Sequence, residues 1–108
     1  MSTRKKPLEG VKVVELANFI AAATTGRFLA DLGADVIKVE SAKGDPLRYT
    51  APTEGRPLDM YENTTWELEN ANKRCISLNM KDPKGKEAFF KLLDEADILI
   101  TNWRVQAL

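Results

Sequence analysis

Histidine is absent from this 108-residue sequence and cysteine occurs only once, and both scarcities exclude whole classes of chemistry. Without histidine, the chain offers no imidazole for acid–base catalysis or for metal binding. The single Cys75 cannot close an internal disulfide. No apolar run approaches the roughly twenty residues of a membrane span, and no apolar segment follows the basic start to make a signal peptide. We therefore expect a cytoplasmic protein that does not bind membranes.

An excess of charge is also missing. Sixteen basic residues balance sixteen acidic ones, whereas proteins that bind nucleic acid or anionic membranes in general carry surplus lysine and arginine. Any anion site must therefore be local. A chain of this length can bury roughly two thirds of its unfolded surface, enough for one small core.

Two short β-branched runs enclose a helical pattern between Val11 and Glu40. The first run ends at Leu16 and the second covers 36–39, as is typical of strands buried in a parallel sheet. The helix is predicted from the spacing of Thr25, Phe28, Leu29 and Leu32, and Gly33 suits its C-cap. This βαβ unit predicts a ligand site at the carboxyl ends of its strands, around 17–23 and 40–45.

A nicotinamide dinucleotide site is one interpretation of this unit, with Glu40 as the acid that binds ribose. That fold places a GxGxxG turn between the first strand and its helix. This chain has only Gly26 in the corresponding turn, late in the segment. The glycine pattern therefore argues against the dinucleotide interpretation.

From Ser41 to Asn70 the regular pattern dissolves into what we interpret as a long loop, which either covers a sheet edge or faces a ligand. Its aromatic residues are expected to pack onto something: Tyr49, Tyr61 and Trp66. A strand is predicted at 75–78, in which Cys75 is expected to be buried and inert. A helix is predicted to start at Asp82 and Pro83 and to end near Glu95, and its apolar stripe is Phe89, Leu92, Leu93 and Ala96. A further strand is predicted at 98–100.

Polar residues cluster where the predicted strands begin or end, and they are either solvated loop ends or donors that converge on a phosphate. They are Asn18, Glu40, Arg48, Asn72, Lys73, Arg74, Asn102 and Arg104. No triad, metal cluster or phosphate loop can be assembled from the sequence.

Four segments, taken together, change the balance between these interpretations. FLADLGADVIKVE (28–40), KGDPLR (43–48), NKRCISLNMKDPKGKEAFFKLL (72–93) and ADILITNWR (96–104) resemble, in order, the N-terminal part of the family III CoA-transferases, also called the formyl-CoA transferase or carnitine CoA-transferase family. The resemblance implies an α/β fold, a Rossmann-like, mostly parallel sheet with flanking helices. Residues 1–10 would be an N-terminal arm, and 11–108 the incomplete N-terminal portion of a larger domain.

Members of this family move CoA from an acyl-CoA to a carboxylic acid through an aspartyl-CoA thioester. The resemblance implies that this aspartate lies beyond Leu108, so we assign no catalytic residue and expect these 108 residues to be inactive alone. Asp31 and Asp45 are not taken as substitutes. Coenzyme A would be a substrate, with no permanently bound cofactor and no metal. The complete protein is expected to be a homodimer of interlocked subunits.

By the same resemblance, three segments would bind CoA. Phe19, Ile20 and Ala21 would lie at the reacting thioester. Asn72, Lys73 and Arg74 would lie beside the nucleotide, and Asn102, Trp103 and Arg104 would border the adenine and pantetheine. The chain has Ala21-Ala22-Ala23 where the family commonly has Ala-Gly-Pro, which points to a subgroup with a different acyl pocket. The segment TWELENANKR (65–74), together with TNWR (101–104) in place of ENFRP, is similar to members that handle 2-hydroxy acids and enoates.

Two alternatives stay open at the level of sequence. A relative on the same fold could racemise or isomerise acyl-CoA thioesters with an acid–base pair in place of the nucleophile. A non-catalytic module that binds CoA or a nucleotide is the other. Only sequence beyond Leu108 would separate the first from a transferase, whereas the module should fold alone as a monomer.

Overall fold

The computed structural model describes residues 6–49, 55, 64–104 and 106. Strands and helices alternate along the chain, with a short 3-10 helix at Pro46–Tyr49. The strands are β1 (Lys12–Leu16), β2 (Asp35–Glu40), β3 (Arg74–Ser77) and β4 (Ile98–Thr101), and the helices are α1 (Ala21–Asp31), α2 (Thr64–Asn70) and α3 (Pro83–Glu95). No helix in these ranges is long and apolar enough to cross a membrane.

The four strands form one parallel sheet in the order β3-β2-β1-β4. This is the order of the first four strands of a Rossmann sheet, which confirms the predicted α/β class. The chain leaves β1 toward β2 on one side and returns to it as β4 on the other. The gap beyond the carboxyl ends of β1 and β4 is therefore the place where such sheets bind ligands.

The core has two parts, one on each face of the sheet. On the first face Val13 and Val36 pack with Ala30 and Ala34 from α1 and the residues that follow it. On the other face Val14, Leu16 and Val39 pack against Phe89 of α3. Neighbouring residues along β1 point to opposite faces, so this short strand contributes to both.

Gly33 has φ +105 and follows α1, as its predicted role as C-cap requires. The predicted apolar stripe of α1, however, is confirmed only at Leu29, which packs against the first core cluster. Phe28 and Leu32 are exposed, and the helix buries Ala23, Gly26 and Ala30 instead. These small side chains let the α1 backbone come close to the sheet, where the side chains of Glu15 from β1 and of Lys73 occupy the space beneath it.

The outer strands are more exposed than expected. All four residues of β3 are exposed, and Ile98 and Leu99 of β4 are 40% and 43% exposed. The prediction of a buried Cys75 is therefore wrong: Cys75 is exposed, because β3 is the outer strand on its side of the described sheet. Partial burial and the nearby Glu40 carboxylate raise the pKa of the Cys75 thiol, which opposes formation of a thiolate at neutral pH.

The segment 41–70 was predicted to be a loop without regular structure, and this is wrong at both of its described ends. The 3-10 helix follows β2, and α2 precedes β3. Arg48 stacks over the Trp66 ring with 3.6 Å between the guanidinium carbon and the ring centroid, whereas Tyr61 lies outside the described residues. Within the predicted arm, Leu8 packs on the first core cluster and donates its N–H to the Leu32 carbonyl at 2.9 Å.

The N-terminus of α3 forms as predicted. The Asp82 carboxylate accepts the Lys84 N–H at 2.9 Å, and Pro83 occupies the first helical position. The predicted stripe is also confirmed: Phe89 is buried, and Leu92, Leu93 and Ala96 pack beside it.

We expect Asp82→Ala to lower the free energy of unfolding of the complete protein by about 1 kcal/mol, because a cap hydrogen bond and a favourable charge at the helix start are lost. Urea unfolding followed by circular dichroism measures this. The neighbouring Lys81→Ala serves as the control, and equal midpoints for the two variants would contradict the capping role.

Candidate functional site

Two asparagines close the gap beyond β1 and β4. The Asn102 side chain accepts the Asn18 N–H at 3.1 Å through Oδ1 and donates Nδ2–H to the Asn18 carbonyl at 2.8 Å. The side-chain amide of Asn102 thus adds two hydrogen bonds beyond the end of the backbone pairing between β1 and β4. Asn102 therefore fixes the loop after β4 to the turn after β1.

A cavity of about 430 Å³ lies at this carboxyl edge. Its walls come from the ends of β1 and β2 and from the loops after β2 and β4: Asn18, Val39, Ser41, Lys43, Gly44, Pro46, Tyr49 and Trp103. The lining combines apolar and aromatic surface with amide, hydroxyl and ammonium groups. Such a mixture suits an organic ligand that carries an anionic group, and the volume lies within the usual range for small-molecule sites.

The turn from β1 into α1 borders this cavity and has an unusual backbone. Phe19 has φ +63, a left-handed conformation that is rare for a bulky side chain. The side chains of Phe19 and Ile20 are 50% and 53% exposed, and Ala21 is the first residue of α1. The predicted thioester-facing segment is thus an exposed turn beside the cavity.

Four charged side chains, which we call the buried quartet, lie between the sheet and α1: Glu15, Lys38, Asp45 and Lys73. All four side chains are fully buried. Lys38 Nζ lies 2.8 Å from Glu15 Oε2 and 2.9 Å from Asp45 Oδ2, and Lys73 Nζ lies 2.6 Å from Glu15 Oε1. The two ammonium groups and two carboxylates balance each other, which a buried set of charges requires.

The two lysines of the quartet differ in their electrostatics. Burial opposes the charge of Lys38, but Glu15 and Asp45 outweigh it and raise the pKa of this lysine. Burial dominates at Lys73 and lowers its pKa, although Glu15 acts in the opposite direction. Lys73 also donates to the Ala23 carbonyl at 2.7 Å and to Asn70 Oδ1 at 2.6 Å. It therefore ties α1 and α2 to β1.

Sequence reasoning missed the quartet, although a signal was present. Glu15 and Lys38 interrupt two otherwise apolar strands and are paired in the sheet register. Opposite charges at facing positions of two buried strands indicate an internal ion pair.

Glu40 does not serve as an acid for ribose. Its Oε1 accepts the Asp45 N–H and the Arg48 Nε–H, both at 2.8 Å, and its Oε2 accepts Arg48 Nη2–H at 2.9 Å. With Trp66 covering the guanidinium, this ion pair closes the base of the loop after β2.

The remaining predicted site residues lie elsewhere. Asn72 and Arg74 come at the start of β3, so they lie at the amino edge of the sheet, where Asn72 contacts Asp31 and Arg74 forms a bidentate pair with Asp35. Lys73 belongs to the quartet. Trp103 thus lines the cavity, and Asn102 and the turn at 19–21 adjoin it through Asn18, whereas Asn72 and Arg74 lie apart from them.

The family model for CoA-transferase family III matches residues 8–108. The chain belongs to CoA-transferase family III.

Curated relatives within the family agree with this. The chain is 63% identical over 108 residues to a cinnamoyl-CoA:phenyllactate CoA-transferase of Clostridium sporogenes, covering 100% of this chain and 26% of the relative. It is 52% identical over 101 residues to an (R)-2-hydroxy-4-methylpentanoate CoA-transferase of Clostridioides difficile, covering 94% and 25%. The chain therefore spans about a quarter of the length of these relatives.

Solved structures show the same architecture. A CAIB/BAIF family protein from Brucella suis superposes with a TM-score of 0.81 at 39% identity, covering 97% of this chain and 28% of that protein. A hypothetical protein from Mycobacterium tuberculosis gives a TM-score of 0.74 at 32% identity, covering 87% and 24%.

Proposed function

We propose that the complete protein transfers CoA from an acyl-CoA to a carboxylic acid. The observation that carries this proposal is the family match along almost the whole chain, from residue 8 to residue 108. The cavity at the carboxyl edge of β1 and β4 supports it, because this is where a Rossmann sheet binds a nucleotide-containing ligand.

In the proposed mechanism an aspartate outside these 108 residues is the nucleophile. Its carboxylate attacks the acyl-CoA carbonyl and expels CoA thiolate, which leaves a mixed anhydride. The thiolate then attacks the aspartyl carbonyl of the anhydride, so that the donor acid leaves and aspartyl-CoA remains. The same two steps in reverse, with a second carboxylic acid, produce the new acyl-CoA. Asp45 is not this nucleophile, since it is fully buried and paired with Lys38.

In this mechanism the residues of the carboxyl edge bind CoA and exclude water. We infer that Phe19, Ile20 and Ala21 border the thioester. Trp103 offers a flat face to the adenine, and Arg104 next to it offers charge to a phosphate. Asn102 acts through Asn18, because both polar atoms of its side chain bond that residue's backbone. For Asn72, Lys73 and Arg74, CoA binding stays a prediction.

We further propose that the acids exchanged are 2-hydroxy acids or the related enoates. Support comes from the two clostridial relatives, whose names specify phenyllactate and 2-hydroxy-4-methylpentanoate. The racemase alternative gains no support, because both relatives are named transferases. We expect the complete protein to be a cytoplasmic homodimer, as the family resemblance implies.

Mixing the complete protein with cinnamoyl-CoA and phenyllactate tests the transfer directly. We expect phenyllactyl-CoA and free cinnamate to form in equal amounts, measured by liquid chromatography. Succinate in place of phenyllactate is the control for acid class. No product with any donor and acceptor pair would contradict the transferase, whereas faster transfer to succinate would contradict only the 2-hydroxy acid class.

Arg104→Ala tests the CoA site. We expect the dissociation constant for CoA to rise at least about tenfold, because a phosphate would lose a charge-assisted hydrogen bond. Titration followed by Trp103 fluorescence measures it. An unchanged constant would remove Arg104 from the site, and Arg74→Ala in the same titration tests the prediction for Arg74 at the amino edge.

A further inference from the structure

We propose that Asp45 is a positioning residue, whose buried carboxylate holds the turn at Phe19 in its left-handed conformation and thereby shapes the cavity. This inference rests on the proposed function, since it assumes that the turn borders the CoA thioester. It gives Asp45 a role other than chemistry at the reacting atoms.

Asp45 contacts the turn directly. The Phe19 N–H donates to Asp45 Oδ1 at 3.0 Å, and the same oxygen accepts the Leu47 N–H at 2.9 Å. One carboxylate oxygen therefore joins the turn after β1 to the loop after β2. Half of Phe19 is exposed, so packing of its ring does not account for the rare backbone conformation.

The other carboxylate oxygen of Asp45 is paired with an ammonium group. Asp45 Oδ2 lies 2.9 Å from Lys38 Nζ, and that ammonium also donates to the Ala17 carbonyl at 3.0 Å. Lys38 is in turn paired with Glu15. The turn is thus held at Phe19 by Asp45 and at Ala17 by Lys38, and both contacts belong to the buried quartet.

The residues next to Asp45 and Phe19 line the cavity. Asp45 lies between Gly44 and Pro46, and Phe19 follows Asn18, and all three of these neighbours line the cavity. Asp45 therefore fixes two of its walls relative to each other. Backbone strain of this kind persists only where the surrounding structure imposes it, and it is concentrated at functional sites.

The hydrogen bonds and the ion pair of the Asp45 carboxylate make Asp45→Asn the variant that tests its role. Asp45 supplies two acceptor oxygens. One accepts the N–H groups of Phe19 and Leu47, and the other is paired with the Lys38 ammonium. An amide of the same shape has a single acceptor, so Asp45→Asn places an NH₂ group against either Lys38 or the Phe19 N–H. We expect this change to release the turn in the complete protein.

The expected result is a rise of at least about tenfold in the dissociation constant for CoA and in KM for the acyl-CoA, with less change in kcat. Loss of affinity follows because only the fraction of molecules with the competent turn binds. Asp94→Asn, an exposed aspartate on α3, is the matched control and should leave both constants unchanged.

A second background separates positioning from a general loss of structure. Phe19→Gly removes the cost of the left-handed conformation, so adding Asp45→Asn to it should raise the dissociation constant by less than about threefold. Equal losses in the two backgrounds would overturn the proposal, as would CoA binding unchanged in Asp45→Asn. Transfer and CoA binding by the unmodified protein establish the proposed function separately, so the two failures are distinguishable.

Amide hydrogen exchange on the unmodified complete protein provides a test that needs no variant. We expect the Phe19 amide to be protected although its residue is half exposed, because its proton is held by Asp45. Exchange at the rate of an open peptide would overturn the proposal even if Asp45→Asn fails to fold.

Discussion

Replacing Glu15 by glutamine is expected to lower the free energy of unfolding by about 3 to 5 kcal/mol. Both of its carboxylate oxygens are 2.6 to 2.8 Å from a lysine nitrogen, and the whole group is closed to solvent. The neutral amide would leave two buried ammonium groups with one carboxylate, Asp45. Removing one member of a buried ion pair costs more than the pair contributes, because the remaining charge stays desolvated.

The measurement is urea unfolding of the complete protein, followed by circular dichroism. Glu95→Gln is the matched control, because Glu95 forms a 3.9 Å ion pair with Lys12 at the surface, with side chains 75% and 56% exposed. We expect the control to change stability by less than about 0.5 kcal/mol. A Glu15→Gln variant within about 1 kcal/mol of the original protein would mean that the quartet does not hold these charges buried.

Gly26→Ala is expected to lower the free energy of unfolding by about 2 to 4 kcal/mol, although alanine in a helix interior normally adds about 1 kcal/mol relative to glycine. The reason is space beneath α1. A Cβ at position 26 would lie 2.1 Å from Glu15 Oε1 and 3.1 Å from Lys73 Cε. The carboxylate is held between two lysines, so it cannot move aside without breaking an ion pair.

Thr25→Ala on the exposed face of the same helix is the control, and it should be neutral or slightly stabilising. Thermal unfolding of the two variants side by side measures the difference. If Gly26→Ala raised the midpoint as helix propensity alone would, the close approach of α1 to Glu15 would be contradicted.

The parts of the fold that could be predicted from the sequence are those with local signals. The alternation of strands and helices follows from apolar runs and periodicity, and the C-terminus of α1 and the N-terminus of α3 follow from Gly33 and Asp82. The buried face of α1 could not be read in this way. Its contact surface is set by Glu15 and Lys73, which come from distant parts of the chain and demand small residues above them.

In the candidate site, too, some residues could be placed from the sequence and others could not. Asn18 and Asn102 each follow a strand, and their position relative to strand direction correctly places them at one edge. Asn72 and Arg74 come at the start of β3, and the same rule places them at the opposite edge, as the structure does. The role of Asp45 depends on a hydrogen bond across 26 residues, for which no local pattern exists.

The sheet order has a consequence for how the chain folds. Glu15 and Lys38, on neighbouring strands, are 23 residues apart in sequence, whereas the contacts between β1 and β4 at Lys12 and Asn18 join residues 85 and 84 apart. Closing the longer loop costs more chain entropy and is slower. During synthesis β2 is therefore available to pair with β1 long before β4 is. The gap beyond β1 and β4 is completed only after β2 and β3 have been made, so the proposed CoA site is the last part of this four-stranded sheet to form.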